Sequence, residues 1–201
     1  MNTMRTTAAF VIGLVFVVPT GWAQTPADQE HAELAKALKD AKIPLERGLT
    51  ASAKEGKPIS AKYEVEDGKL QLSVYTMKGT NFSEVIVDHK TGKIAKAEPI
   101  TKGDDLSHAK EQSEAMAKAK RSLGAAASEA VKENKGYRVV SVMPAMKEGH
   151  PVADVTLVKG TEWKTVSEKL DEPQTRGSTG GIPMTDMRTA TKLRTLVVLP
   201  K

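Results

Sequence analysis

The sequence predicts an α+β fold: two tandem units, each a helix plus a three-stranded antiparallel meander, packed as one two-lobed body. Three observations predict it. Gly68 and Gly79 are matched by Gly149 and Gly160, each 81 positions further on. Between residues 68–85 and 149–166, six of 18 aligned positions are identical (Gly68, Val74, Lys78, Gly79, Thr80 and Val85), and Phe82 answers Trp163. On either side of these glycines apolar residues alternate with polar ones, the period of a half-buried strand.

The chain of 201 residues begins with a segment set apart from this pattern. Arg5 is followed by the 11-residue apolar run Ala8–Val18, then by Pro19, Gly21 and Ala23. A spanning helix needs about 20 apolar residues. The run therefore reads as an export signal occupying residues 1–23, with cleavage between Ala23 and Gln24. No cysteine follows it, which removes a lipid anchor, and the chain has none at all, which removes disulfides, thiolate metal sites and a cysteine nucleophile. No later stretch is apolar enough to cross a bilayer, so no membrane span is expected in the mature chain. A periplasmic location is expected, with an extracellular one as the second choice.

The first unit is assigned to residues 24–101. Leu34 and Leu38 mark a short helix, and Pro44 separates it from a second over 45–54. Ile59, Ala61, Tyr63 and Val65 alternate with Lys62, Glu64 and Glu66 along the first strand. Asp67–Gly68 is a two-residue hairpin signal, because both turn positions need positive φ. Leu70, Leu72 and Val74 continue on the returning strand, Gly79 turns the chain again, and "FSEVIVD" makes the third strand, closed by "HKTGK".

The second unit is assigned to residues 105–172, after a joint at Lys102–Gly103–Asp104. Asp105 is placed as the cap of one helix over 106–133, whose apolar stripe is Ala109, Met116, Leu123 and Ala130. Asn134 and Gly136 end it. The strands are "YRVVSVM", "PVADVTLV" and "EWKTVSEKL", joined at Gly149 and Gly160. Aligning Leu45 with Leu123 gives an offset of 78, which puts three extra residues between helix and hairpin in the second unit. Residues 173–201 start as a Gly/Pro/Ser/Thr linker, and "LRTLVVLP" at their end is expected to add a strand to a sheet edge, its own or a partner's.

The chemistry in the sequence is sparse. The net charge is +5, but the basic residues are mixed with acidic ones and no basic run exceeds Lys120–Arg121, so nucleic acid is not an expected partner. None of His31, His89, His108 and His150 lies three or four residues from another, and no H-E-x-x-H occurs. No metal site, cofactor or catalytic residue is assigned. His89 and His150, both at turns, are the one hint of a metal- or small-ligand-handling role. "GSTGG" lacks the lysine and the preceding strand of a phosphate loop, and no G-x-S-x-G is present. Phe82 and Trp163 follow the two "KGT" turns; they are candidate partner contacts, with a core position as the competing reading.

Helix, strand pair and a third strand closed by Asp-x-x-Thr-Gly, as in "ISAKYEVEDGKLQLSVYTMKG" followed by "SEVIVDHKTGKI", resemble the PepSY family. Asp88, Thr91 and Gly92 match the closing turn. The second unit resembles it through "VVSVMPAMKEGHPVADVTLVKG" and departs at Asp171–Glu172–Pro173, where no Thr-Gly follows. The resemblance covers about residues 43–172. It implies an exported bacterial α+β module without catalytic residues. It also implies a partner that is another envelope or secreted polypeptide, with peptidase restraint as the specific version.

Overall fold

A computed structural model describes residues 26–173. The expected export signal, most of the expected linker and the expected final strand lie outside the described residues. The elements run α1 (Pro26–Ala37), a 3₁₀ turn (Leu38–Asp40), α2 (Leu45–Ser52), β1 (Lys57–Glu66), β2 (Lys69–Lys78), β3 (Asn81–Val87), β4 (Ile94–Ile100), α3 (Gly103–Lys118), α4 (Leu123–Glu133), β5 (Arg138–Lys147), β6 (His150–Lys159) and β7 (Glu162–Lys169).

The α+β class holds, but the two-lobed arrangement of tandem three-stranded units does not. All seven strands form one antiparallel sheet in the order β4-β3-β2-β1-β5-β6-β7. The halves join because β1 and β5, each the first strand of its meander, pair with one another at Ala61↔Val142 and Lys62↔Ser141. Left apart, both strands would expose a row of unpaired backbone donors and acceptors, and pairing removes two open edges at once. A fourth strand, β4, also lies beyond the three expected in the first half, against β3.

The hairpin turns are where the sequence places them. Asp67 and Gly68 have φ of 50° and 70°, and Glu148 and Gly149 have 50° and 84°, as a two-residue hairpin with both φ positive requires. The strand registers carry the offset of 81 throughout. Ser60↔Tyr75 recurs as Ser141↔Thr156, Met77↔Phe82 as Val158↔Trp163, and the irregularity at Ile59 as one at Val140. Ala61 and Val142 are themselves 81 apart and face each other, so a local two-fold axis relating these registers passes through that pair.

The single helix expected over 106–133 is two helices, broken at 119–122. Ser122 caps the second by accepting the amide of Ala125. Asp105 is not a cap: the residue preceding α3 is Lys102, and the Asp105 carboxylate instead accepts a 2.6 Å hydrogen bond from the hydroxyl of Tyr75. The chain enters α2 and α4 in parallel ways. The amides of Lys42 and Ile43 donate to the carbonyl of His89, and those of Lys120 and Arg121 to the carbonyl of Leu170.

The helices α2 and α4 pack side by side on one face of the sheet, over Tyr63, Leu72, Val74, Val85, Val87, Val142, Val155 and Leu157, all essentially inaccessible to solvent. Contact is close at Gly48, where an added Cβ would lie 2.5 Å from Leu72 Cδ2. Arg138 ties the α1–α2 connection to the sheet. Its guanidinium donates to the carbonyls of Leu38 and Ile43, both at 2.9 Å, and lies 5.2 Å from the centre of the Tyr63 ring.

Candidate interaction surface

Side chains alternate across a strand, so covering one face with α2 and α4 leaves the other to the polar half of the pattern, and α1 and α3 lie across parts of that second face: Trp163 stacks on His31 of α1, Tyr75 donates to Asp105 at the start of α3, and Gln112 of α3 lies 3.8 Å from the Met143 sulfur. Its central rows are Lys96, Ile86, Ser73, Lys62, Ser141, Thr156 and Thr165, and beside them Glu98, Glu84, Tyr75, Ser60, Met143, Asp154 and Ser167. Thr165 and Ser167 are exposed, Lys62, Glu84, Ser141, Asp154 and Thr156 half-buried, and Ser60, Ser73 and Tyr75 buried. With neighbouring strands about 4.8 Å apart, the seven span about 29 Å.

The charges on this face are paired within it. Lys62 meets Glu64 at 2.5 Å, Lys96 meets Glu98 at 2.6 Å, and Lys147 meets Asp154 at 2.6 Å while donating to Ser167 at 2.9 Å. Ser73 donates to Glu84, and the hydroxyls of Thr156 and Thr165 are 3.3 Å apart. Such pairs contribute little to stability at a wet surface. They do hold long side chains in fixed positions, which lowers the ordering cost of docking a partner. Tyr75 anchors one end of the face: burial first, and then its bond to the Asp105 carboxylate, raises its phenol well above the ordinary value.

Phe82 and Trp163 sit at equivalent register positions but in different surroundings. Phe82 is 8% exposed and belongs to the core, opposite Ile100 of β4. Trp163 is half-buried, and its ring stacks on His31 of α1 with centroids 4.3 Å apart. Next to it, Tyr137 lies under the ammonium groups of Lys159 and Lys164.

His89 and His150 are not brought together. Leu170, the register counterpart of His89, donates its amide to Pro151 at 2.9 Å beside His150. The two-fold axis therefore puts the two histidines at opposite ends of the sheet. His150 Nδ1 is 2.6 Å from the Asp171 carboxylate, whose pKa is lowered chiefly by that bond. Asp88, in the closing turn, accepts from the hydroxyl and amide of Thr91, and these bonds hold its carboxyl below the usual range. Among the described residues no group of three or more His, Cys, Asp or Glu side chains is placed to hold a metal ion. On the helix side, a cleft of about 620 Å³ between α2 and the start of α4 is lined by Leu49, Met116 and Leu123 together with Lys57, Lys120 and Glu46.

No family model and no curated protein matches this chain. Among solved structures it is similar to the crystal structure of a candidate lipoprotein from Clostridium difficile 630. The identity is 14%, over 66% of this chain and 90% of that one, with a TM-score of 0.38. At that score a common fold is not demonstrated. No helix among the described residues is long and apolar enough to cross a membrane.

The face residues Lys62, Ser141, Thr156 and Thr165 are missed when the search is confined to aromatic and titratable residues. The signal that finds them is the polar half of the strand alternation, read across strands once the register is known.

Proposed function

We propose that this chain is an exported, non-enzymatic, PepSY-like module that binds another polypeptide on the part of the polar sheet face that α1 and α3 leave open. The observation that carries the reading is that face. It is continuous across the β1–β5 junction, α1 and α3 cover parts of it, and Lys96, Glu98, Thr165 and Ser167 stay exposed on it, with Lys96 and Glu98 already paired. The specific version is peptidase restraint in the periplasm, by steric means: a pre-folded sheet lies against a cleft and keeps substrate out. The PepSY resemblance and the apolar run at 8–18 support this version.

Photo-crosslinking residues placed at Ser141, Thr165 and, as a control on the helix side, Thr50 test the reading in cells at native expression. The same polypeptide should be captured from positions 141 and 165 and not from 50, and for restraint it should be a secreted peptidase. Equal capture from all three positions, or none from the face, overturns the proposal. Stoichiometric zinc or copper in the purified protein, lost on changing His89 and His150, would replace it with a metal-handling role.

A further inference from the structure

The cleft between α2 and the start of α4 gathers hydrogen-bond donors that lack acceptors. Its apolar lining is Leu49, Met116 and Leu123, and three cationic residues, Lys57, Lys120 and Arg121, stand there against one carboxylate, Glu46. The hydroxyls of Thr50 and Ser128 in its wall donate to carbonyls of their own helices, those of Glu46 and Gly124. Ser122 accepts the amide of Ala125 on its side chain and that of Ala126 on its carbonyl. The amides of Leu123 and Gly124, which also line the cleft, have no acceptor among the described residues.

Arg121 has the same shortage. Its side chain is only 10% exposed. Nη1 donates to the carbonyl of Lys169 at 3.1 Å, and the Glu168 carboxylate is 3.8 Å from that same nitrogen. Nε is buried and has no acceptor among the described residues. Nε and Nη2 carry two parallel N–H bonds, the edge of a guanidinium that receives both oxygens of one carboxylate. A buried cation with that edge unmatched is costly.

The two halves of the chain differ at this point. α2 begins Leu45–Glu46 and α4 begins Leu123–Gly124, so the second position carries a carboxylate in one helix and no side chain in the other. α2 thus supplies a negative charge to its own positive end, and the first turn of α4 has no acidic residue to do so. A Cβ added at Gly124 would meet nothing closer than 4.0 Å, so the backbone there is open to approach.

We propose that this cleft binds a small molecule that carries a carboxylate on a short aliphatic body. The carboxylate takes the amides of Leu123 and Gly124 and the Nε–Nη2 edge of Arg121, and supplies to α4 the charge that Glu46 supplies to α2. The aliphatic body lies against Leu49, Met116 and Leu123. A volume of about 620 Å³ is of the size that small-molecule sites have. No residue named on the polar sheet face lines this cleft, so this inference and the proposed polypeptide binding can fail separately.

Octanoate, octan-1-ol and octylamine share a body and differ in head group, and NMR titration of the isotopically labelled full-length chain compares them. Octanoate should shift the Leu123 and Gly124 amides, the Arg121 Nε–H and the Met116 methyl, and bind at least about tenfold tighter than the alcohol or the amine. Gly124→Glu installs in open space the carboxylate that α2 has. It should weaken octanoate at least about tenfold relative to Gly124→Gln, which has the same bulk without the charge. Both substitutions improve on glycine in a helix, so loss of the fold does not imitate this result. Equal binding of the three compounds overturns the inference, as does equal affinity of the Glu and Gln variants for octanoate, or shifts confined to other parts of the chain. Tighter binding of a peptide ending in a free leucine carboxylate than of octanoate would give the cleft to the end of a polypeptide and overturn it too.

Discussion

Gly48 and Leu72 offer a prediction whose sign depends on background. A Cβ at Gly48 would sit 2.5 Å from Leu72 Cδ2 and 3.0 Å from its Cγ, so Gly48→Ala must displace a side chain that is fully buried. Overpacking of this kind costs about 1–3 kcal/mol, against about 1 kcal/mol returned by alanine in a helix interior, for a net loss of about 1 kcal/mol. Leu72→Ala alone leaves a cavity beneath α2 and should cost about 3 kcal/mol. In the double variant the new methyl enters the vacated space, so the clash vanishes, the helical gain is kept and part of the cavity is filled. Its loss should be about 2 kcal/mol, where simple addition gives about 4 kcal/mol, a coupling of about 2 kcal/mol. Gly48→Ala thus destabilises the native protein and stabilises the Leu72→Ala variant. Urea unfolding followed by far-ultraviolet circular dichroism on the four proteins reads this out. Additive losses, or a Gly48→Ala effect of the same sign in both backgrounds, would show that α2 does not press on Leu72.

Two further outcomes follow from particular contacts. Arg138→Ala should cost about 2–3 kcal/mol in the same unfolding assay, because the carbonyls of Leu38 and Ile43 lose a shared charged donor; Arg138→Lys should recover little, since one ammonium cannot serve both in the fork geometry. The Asp171 carboxyl should titrate below the usual aspartate range, read by carboxyl NMR, and move up on His150→Ala. Because its folded-state pKa is the depressed one, the pair's contribution is present above the unfolded pKa and fades as pH falls through the folded value.

The hairpins were legible because positive φ at two successive positions limits the residues tolerated there, and Asp67–Gly68 advertises such a turn. The core was legible from the apolar half of each strand, and the polar face from the other half. The join between β1 and β5 was not, because backbone ladders form with almost any side chains and no residue at Ala61 or Val142 announces its partner. β4 was missed because Ile94–Ile100 carries Lys96, Glu98 and Pro99 and is exposed at a sheet edge, so it lacks the apolar alternation of a buried strand. The break between α3 and α4 was hidden by Ala109, Met116, Leu123 and Ala130, whose seven-residue spacing runs on across it; Ser122, a helix-capping residue just before Leu123, was the available signal. The stack of Trp163 on His31 joins residues 132 apart and has no local signature.

Everything proposed for the polar face depends on one sheet crossing the middle of the molecule. Cross-strand backbone NOEs in isotopically labelled protein test that most directly. The account predicts contacts between Ala61 and Val142 and between Lys62 and Ser141, with slow amide exchange along both strands. Two intact meanders without those contacts, or with β1 and β5 both open to exchange, would contradict it.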